Sequence, residues 1–206
     1  MMAMPRFVAM IANQRSGTHL IRGCTNDHPS IFCPPEPLFH TVLQTDDEMQ
    51  VFLKQYQGVE REVVLLDIKY NQITPPVERW LKQQRVLHLI RRDIKRQFFS
   101  RQLRNWMAAN DGDARGIMPL GDDPPHIPFD NNQFQRYAEA VREYIARFTP
   151  LETTRLYYED LTHNKSVTFM PEWAGRILCA LMEVPYHRMA TRTRKESPEN
   201  MQEGWL

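Results

Sequence analysis

A guanidinium, two hydroxyls and an imidazole crowd around a single glycine in Arg15-Ser16-Gly17-Thr18-His19, shortly after the apolar run RFVAMIA. That set suits a phosphate- or sulfate-sized anion. Arg15 supplies a cationic fork, Ser16, Thr18 and His19 supply donors, and Gly17 lets the backbone come close. A helix opening near Gly17 adds unpaired backbone N–H groups and the positive end of its dipole. The magnesium-nucleotide loop G-x-x-x-x-G-K-[ST] is the natural comparison. Its first glycine position is Ala12 here, its lysine is Thr18 and its metal-binding hydroxyl is His19, so a magnesium-nucleotide hydrolase is disfavoured. Read by itself, the segment is equally compatible with a plain strand-to-helix turn carrying an exposed Arg.

A second cation–hydroxyl pair follows later. Arg92 closes the run RVLHLIRR, and Ser100 stands eight residues on, inside the following helical stretch. Serine is a mediocre helix former, and a ligand lying over the strand end can reach both groups. The competing reading is a basic helix start with a chance serine. Lys69 closes the run EVVLLDI and points to the same sheet edge, where a solvated lysine is the alternative.

Strands and helices must alternate to place these groups together. Short apolar runs bounded by loops predict buried parallel strands at 6–12, 30–33, 62–68, 85–90 and 153–158. Helical spacing predicts helices from near 17 to 27, then over 46–56, 75–83, 94–109, 132–148 and 169–182. Proline bounds several of them: Pro29 stops the first helix and Pro75 sits in the first turn of the third. Residues 112–130, rich in Gly, Pro and Asp, read as a long surface loop. Strand–helix alternation implies a three-layer α/β domain with a central, mostly parallel sheet and helices on both faces. In such folds ligands sit beyond the carboxyl ends of the strands. His88 reads as structural, and Trp80 and Trp106 as packing groups.

The order and spacing of these segments resemble the sulfotransferases that use 3′-phosphoadenosine 5′-phosphosulfate. The family's loop R-S-G-T followed by a hydroxyl residue is matched by Arg15-Ser16-Gly17-Thr18, with His19 in the last place. Its Arg and Ser eight residues apart after a later strand are matched by Arg92 and Ser100. Asp27-His28-Pro29 is similar to the family's His-Pro after the first helix. Glu36-Pro37 is similar to the Glu-Pro of bacterial and carbohydrate-acting members, and Tyr158-Glu159-Asp160-Leu161 to an acidic signature near the last strand. The match runs from Arg6 to about Leu161 and is loose over the final 45 residues.

The resemblance implies a P-loop-like sulfotransferase fold. It implies that Arg15, Ser16, Gly17, Thr18 and His19 hold the 5′-phosphosulfate, and that Arg92 and Ser100 hold the 3′-phosphate. Arg15 would stabilise the transferring group and Glu36 would be the general base, with His19 and His40 as rivals. Lys69 would assist the sulfate, the acidic signature would be mainly structural, and no metal would be needed. The product would be adenosine 3′,5′-bisphosphate. A P-loop-type nucleotide or small-molecule kinase, or a non-catalytic nucleotide-binding module, are the alternatives.

Bulk properties set the outer limits. A chain of 206 residues suits one domain, 1–206, with 191–206 as a tail or a lid carrying Arg192, Arg194 and Lys195. With 26 basic and 25 acidic side chains the net charge is +1, which gives no general case for nucleic acid. Cys24, Cys33 and Cys179 lack metal-ligand spacing and favour a reducing, cytoplasmic setting. Neither a secretory h-region nor a transmembrane run is expected. The acceptor is expected to be a small molecule, a carbohydrate or a lipid-linked compound; oligomeric state is not legible.

Overall fold

A computed structural model describes residues 4–110, 127–162 and 170–190. Five strands form one all-parallel sheet in the order β2-β3-β1-β4-β5. They are β1 (Arg6–Ala12), β2 (Ile31–Phe32), β3 (Val63–Lys69), β4 (Arg85–Ile90) and β5 (Thr154–Tyr157). The helices are α1 (Thr18–Asn26), α2 (Asp46–Lys54), α3 (Pro75–Leu81), α4 (Ile94–Asn110), α5 (Asn131–Phe148), the single turn α6 (Tyr158–Leu161) and α7 (Glu172–Met182).

The near-continuous apolar strands are buried on both faces, as a sheet covered twice requires. Val8, Met10 and Ala12 of β1 join Val63, Leu65, Leu87 and Leu89 under α1 and α7. Ala9 and Ile11 join Val64, Leu66 and Val86 under α2, α3 and the end of α5. Alternation along each strand therefore sorts side chains between two cores. A smaller cluster of Phe98, Tyr137 and Val141 joins α4 to α5.

The chain leaves β1 toward β2 on one side, and after β3 it crosses to β4 on the other. Register places Ala12 beside Lys69 and Leu89, so the carboxyl ends of β1, β3 and β4 lie together at this switch of direction. The three-layer α/β architecture with a parallel sheet is thus as expected. Ends differ by one to three residues, the usual uncertainty of frayed termini. Lys69 belongs to β3 rather than following it, and Tyr158 opens α6 rather than closing β5. Helix α7 begins at Glu172, not near 169. The expected loop 112–130, apart from its last four residues, and the tail 191–206 with Arg192, Arg194 and Lys195, lie outside the described residues. No helix among the described residues is long and apolar enough to cross a membrane.

Candidate active site

The loop from β1 to α1 is held from β4 and α4. Arg15 has φ 63° and Gly17 φ 88°, so two of its residues are left-handed, and for a non-glycine such as Arg15 that conformation needs support. Three side chains give it. Arg91 Nη1 donates to the Arg15 carbonyl at 3.0 Å, Gln97 Nε2 donates to the Gln14 carbonyl and to Ser16 Oγ at 2.9 and 2.7 Å, and Arg15 Nε donates to Ser100 Oγ at 2.8 Å. From β1's own end, Asn13 Nδ2 donates to Tyr137 Oη at 2.9 Å. The loop's shape is therefore imposed by tertiary contacts, while α1 opens with no side-chain cap on its first N–H groups.

Gly17 is required twice over. A Cβ placed there would come within 2.1 Å of the Tyr158 ring, and φ 88° penalises any side chain. Gly17→Ala is expected to cost roughly 1–3 kcal/mol of strain and to push Tyr158 off the loop. A fall in the denaturant midpoint together with weaker nucleotide binding would show both effects; an unchanged loop affinity would contradict the packing described.

The other half of the site comes from β3. Val63 and Leu65 point into the core, and the same face continues with Asp67 and Lys69. Both charges are buried, at 1% and 2% exposure. Lys69 Nζ lies 2.7 Å from each Asp67 carboxylate oxygen and donates to Thr18 Oγ1 at 2.6 Å. Thr18 keeps its own O–H to donate elsewhere. Lys69 is therefore not the solvated lysine that the sequence left open as an alternative. It is a buried cation that ties β3 to the first residue of α1.

Glu36 reaches the same place from the proline-rich loop after β2. Its Oε1 lies 3.8 Å from Lys69 Nζ and 3.8 Å from His19 Nε2. At that separation these are charge contacts rather than short hydrogen bonds. The facing His19, then Lys69 and Arg104, hold the Glu36 carboxyl down at about 2, against the opposing effect of its burial. Burial lowers Arg15, and the nearby Arg104 and Arg91 guanidinium groups lower it further. Cations thus gather at one strand edge in partial isolation from water, an arrangement that favours an incoming anion.

Among the predicted residues, Arg15, Ser16, Gly17, Thr18, His19, Glu36 and Lys69 fall in one cluster, with Ser100 joined to it through Arg15. Arg92 does not turn toward Ser100. It pairs with both oxygens of Asp160 at 2.6 and 3.0 Å and lies over the Tyr157 ring at 3.8 Å. Glu159 accepts from the backbone N–H groups of Arg92 and Asp93, so the acidic signature organises the start of α4. His40, the other rival base, is exposed and packs edge-on against Phe39. His88 is fully buried between Tyr70 and Glu152, at 2.6 and 2.8 Å. Trp80 is a core residue, but Trp106 remains 37% exposed on α4.

Asp67, Arg91, Gln97 and Arg104 are among the participants not singled out from sequence. Asp67 had a usable signal, a carboxylate two residues before Lys69 inside an otherwise apolar strand. The other three depend on which face of β4 and α4 meets the loop.

This five-stranded parallel sheet flanked by helices is the α/β fold of a crystallised sulfotransferase. The crystal structure of a sulfotransferase from Alicyclobacillus acidocaldarius superposes with a TM-score of 0.55 at 17% identity, covering 98% of this chain and 90% of that one. In sequence, Nodulation protein H of Rhizobium tropici is 22% identical over 224 residues, which span 95% of this chain and 82% of that protein. No family model matches the chain. The resemblance drawn from the motifs and the expected fold class agree with both matches.

Proposed function

We propose that this chain is a sulfotransferase moving a sulfuryl group from 3′-phosphoadenosine 5′-phosphosulfate to a hydroxyl or amine of a small-molecule, carbohydrate or lipid-linked acceptor. The observation that carries the reading is the meeting of Arg15, the uncapped start of α1, Lys69 and Glu36 at one strand edge. The match to a crystallised sulfotransferase supports it. The residues fit such a donor: Arg91 Nε is buried with no hydrogen-bond partner among the described residues, and the first turn of α1 offers its N–H groups.

The bound donor supplies an activated sulfuryl group and a phosphate leaving oxygen. The chain's contribution is positioning and charge stabilisation, as in phosphoryl transfer. Arg15 is the cation set where negative charge grows as the acceptor oxygen bonds to sulfur and the bond from sulfur to the phosphate oxygen breaks. Ser16, Gly17, Thr18 and His19 line the 5′-phosphosulfate end. Glu36 takes the acceptor's proton. Ser100, which accepts from Arg15, retains its O–H for the 3′-phosphate, and Arg92 would join it after leaving Asp160.

Thermal shift separates this reading from a kinase. Stabilisation by adenosine 3′,5′-bisphosphate but not by magnesium-ATP is expected, and the reverse would sink it. The base has its own signature. Glu36 is depressed from 4.5 to about 2, so it is ionised throughout the neutral range. Its stabilising contribution is present above 4.5 and is lost as pH falls through about 2. Glu36→Gln is expected to lower kcat by about 10²–10⁴-fold, whereas His19→Ala moves the acid limb of kcat/KM upward toward 4.5. A limb that stays in place after loss of His19 would contradict the electrostatic account.

A further inference from the structure

His19 stands where the resemblance expects a second hydroxyl, and the sequence left it as a rival to Glu36 for the role of base. The surroundings of the ring decide between them. Its two nitrogens face opposite partners. Nδ1 lies 3.1 Å from Nη2 of Arg22, one turn further along α1, and Nε2 lies 3.8 Å from Oε1 of Glu36. Arg22 is buried at 6% exposure, so its guanidinium has little freedom to turn to water.

A guanidinium carries five N–H donors and no acceptor. At the Nδ1 contact the ring must therefore be the acceptor, with a lone pair on Nδ1. A neutral imidazole with its lone pair there carries its proton on Nε2. The nitrogen facing Glu36 is then a donor. A ring in that tautomer cannot accept a proton at Nε2, and at Nδ1 it can do so only by giving up Arg22.

We propose that Arg22 is a positioning residue for Glu36, acting through His19: it fixes the ring as the Nε2–H tautomer and so presents a donor, not a second base, to the Glu36 carboxylate. The other charged groups around this contact agree with that assignment. Lys69 from β3, itself held by Asp67, approaches the same Oε1 of Glu36. Arg104 from α4 and Arg15 from the loop add positive potential at Glu36. Oε1 of Glu36 thus faces His19 Nε2 and Lys69 Nζ, each at 3.8 Å and each fixed by a residue behind it, and of Glu36 and His19 only the carboxylate presents an acceptor at this contact. The catalytic consequence rests on the sulfotransferase reading; the tautomer does not.

The test has two arms. Nitrogen-15 histidine spectra of the free protein at pH 8.5 are expected to show His19 solely as the Nε2–H tautomer, and a mixture after Arg22→Met. A wild-type spectrum showing Nδ1–H, or both forms, overturns the proposal. In the second arm, Arg22→Met and His19→Ala are each expected to lower kcat about tenfold, with the affinity for adenosine 3′,5′-bisphosphate unchanged in Arg22→Met. The double variant should be no worse than either, since both act on one contact. Multiplying losses would assign Arg22 a merely structural role and overturn the proposal. The wild-type spectrum decides the matter should Arg22→Met fail to fold. A protein that transfers no sulfuryl group would end the functional reading while leaving the tautomer assignment standing.

Discussion

Arg15→Ala is expected to lower kcat for sulfuryl transfer by about 10³-fold, the scale found when a preorganised donor to developing negative charge is removed. The geometry explains why so large a fraction rests on one side chain. Arg15 is held by Ser100 at its Nε, its carbonyl is held by Arg91, and its φ of 63° aims the guanidinium from a backbone that the neighbouring contacts impose. Little reorganisation remains when charge appears. Arg15→Lys should recover only part of the loss, because an ammonium cannot donate to Ser100 and face an anion in the same fork geometry. Single-turnover rates with a labelled sulfate donor measure the effect. A loss below tenfold in Arg15→Ala would remove this residue from the chemistry.

The second large effect concerns stability. Lys69→Met leaves Asp67 without its cation at 1% exposure, and Asp67→Asn leaves Lys69, at 2%, with Glu36 at 3.8 Å in place of its 2.7 Å partner. Removing one partner of a buried ion pair costs about 3–5 kcal/mol, whereas replacing both by groups of similar size is often close to neutral. Each single variant should therefore unfold at a much lower urea concentration, and the double Asp67→Asn/Lys69→Met should regain most of the difference. The double variant should still be catalytically impaired, because Thr18 loses the donor at 2.6 Å and Glu36 loses a cation at 3.8 Å. Urea midpoints for the four proteins test the coupling. Additive losses in the double variant would mean that the two charges do not depend on one another.

Together these results would separate two roles of the same strand edge. The Asp67–Lys69 pair holds the start of α1 onto β3, whereas Arg15 with Glu36 would meet the reacting groups under the proposed function. The lysine expected to assist the sulfate is enclosed by protein groups. Lys69 is already engaged by two partners, so its effect on an anion is exerted through Thr18 and Glu36 as much as directly.

Local patterns carried most of the fold. Apolar runs such as RFVAMIA and RVLHLI can be buried only as doubly covered strands, and the prolines at 29 and 75 bound helices because of their fixed φ and missing N–H. The glycine turn after β1 was legible too, since Gly17 stands between Ser16 and Thr18 just after a strand, but the contacts from Arg91, Gln97 and Ser100 that impose its shape were not. Tertiary structure decided what depends on faces meeting across the sheet. Arg92 and Ser100 were linked by spacing, yet α4 turns Ser100 to Arg15 while β5 and α6 draw Arg92 to Tyr157 and Asp160. Lys69 could not be told from a solvated lysine until Thr18 and Asp67 were seen to enclose it. The tautomer proposed for His19 rests on the buried Arg22 behind the ring, a contact across one turn of α1 that spacing alone did not single out. Periodicity fixes which face of its own element a side chain occupies; only packing fixes what that face meets, and proton position follows from the partner.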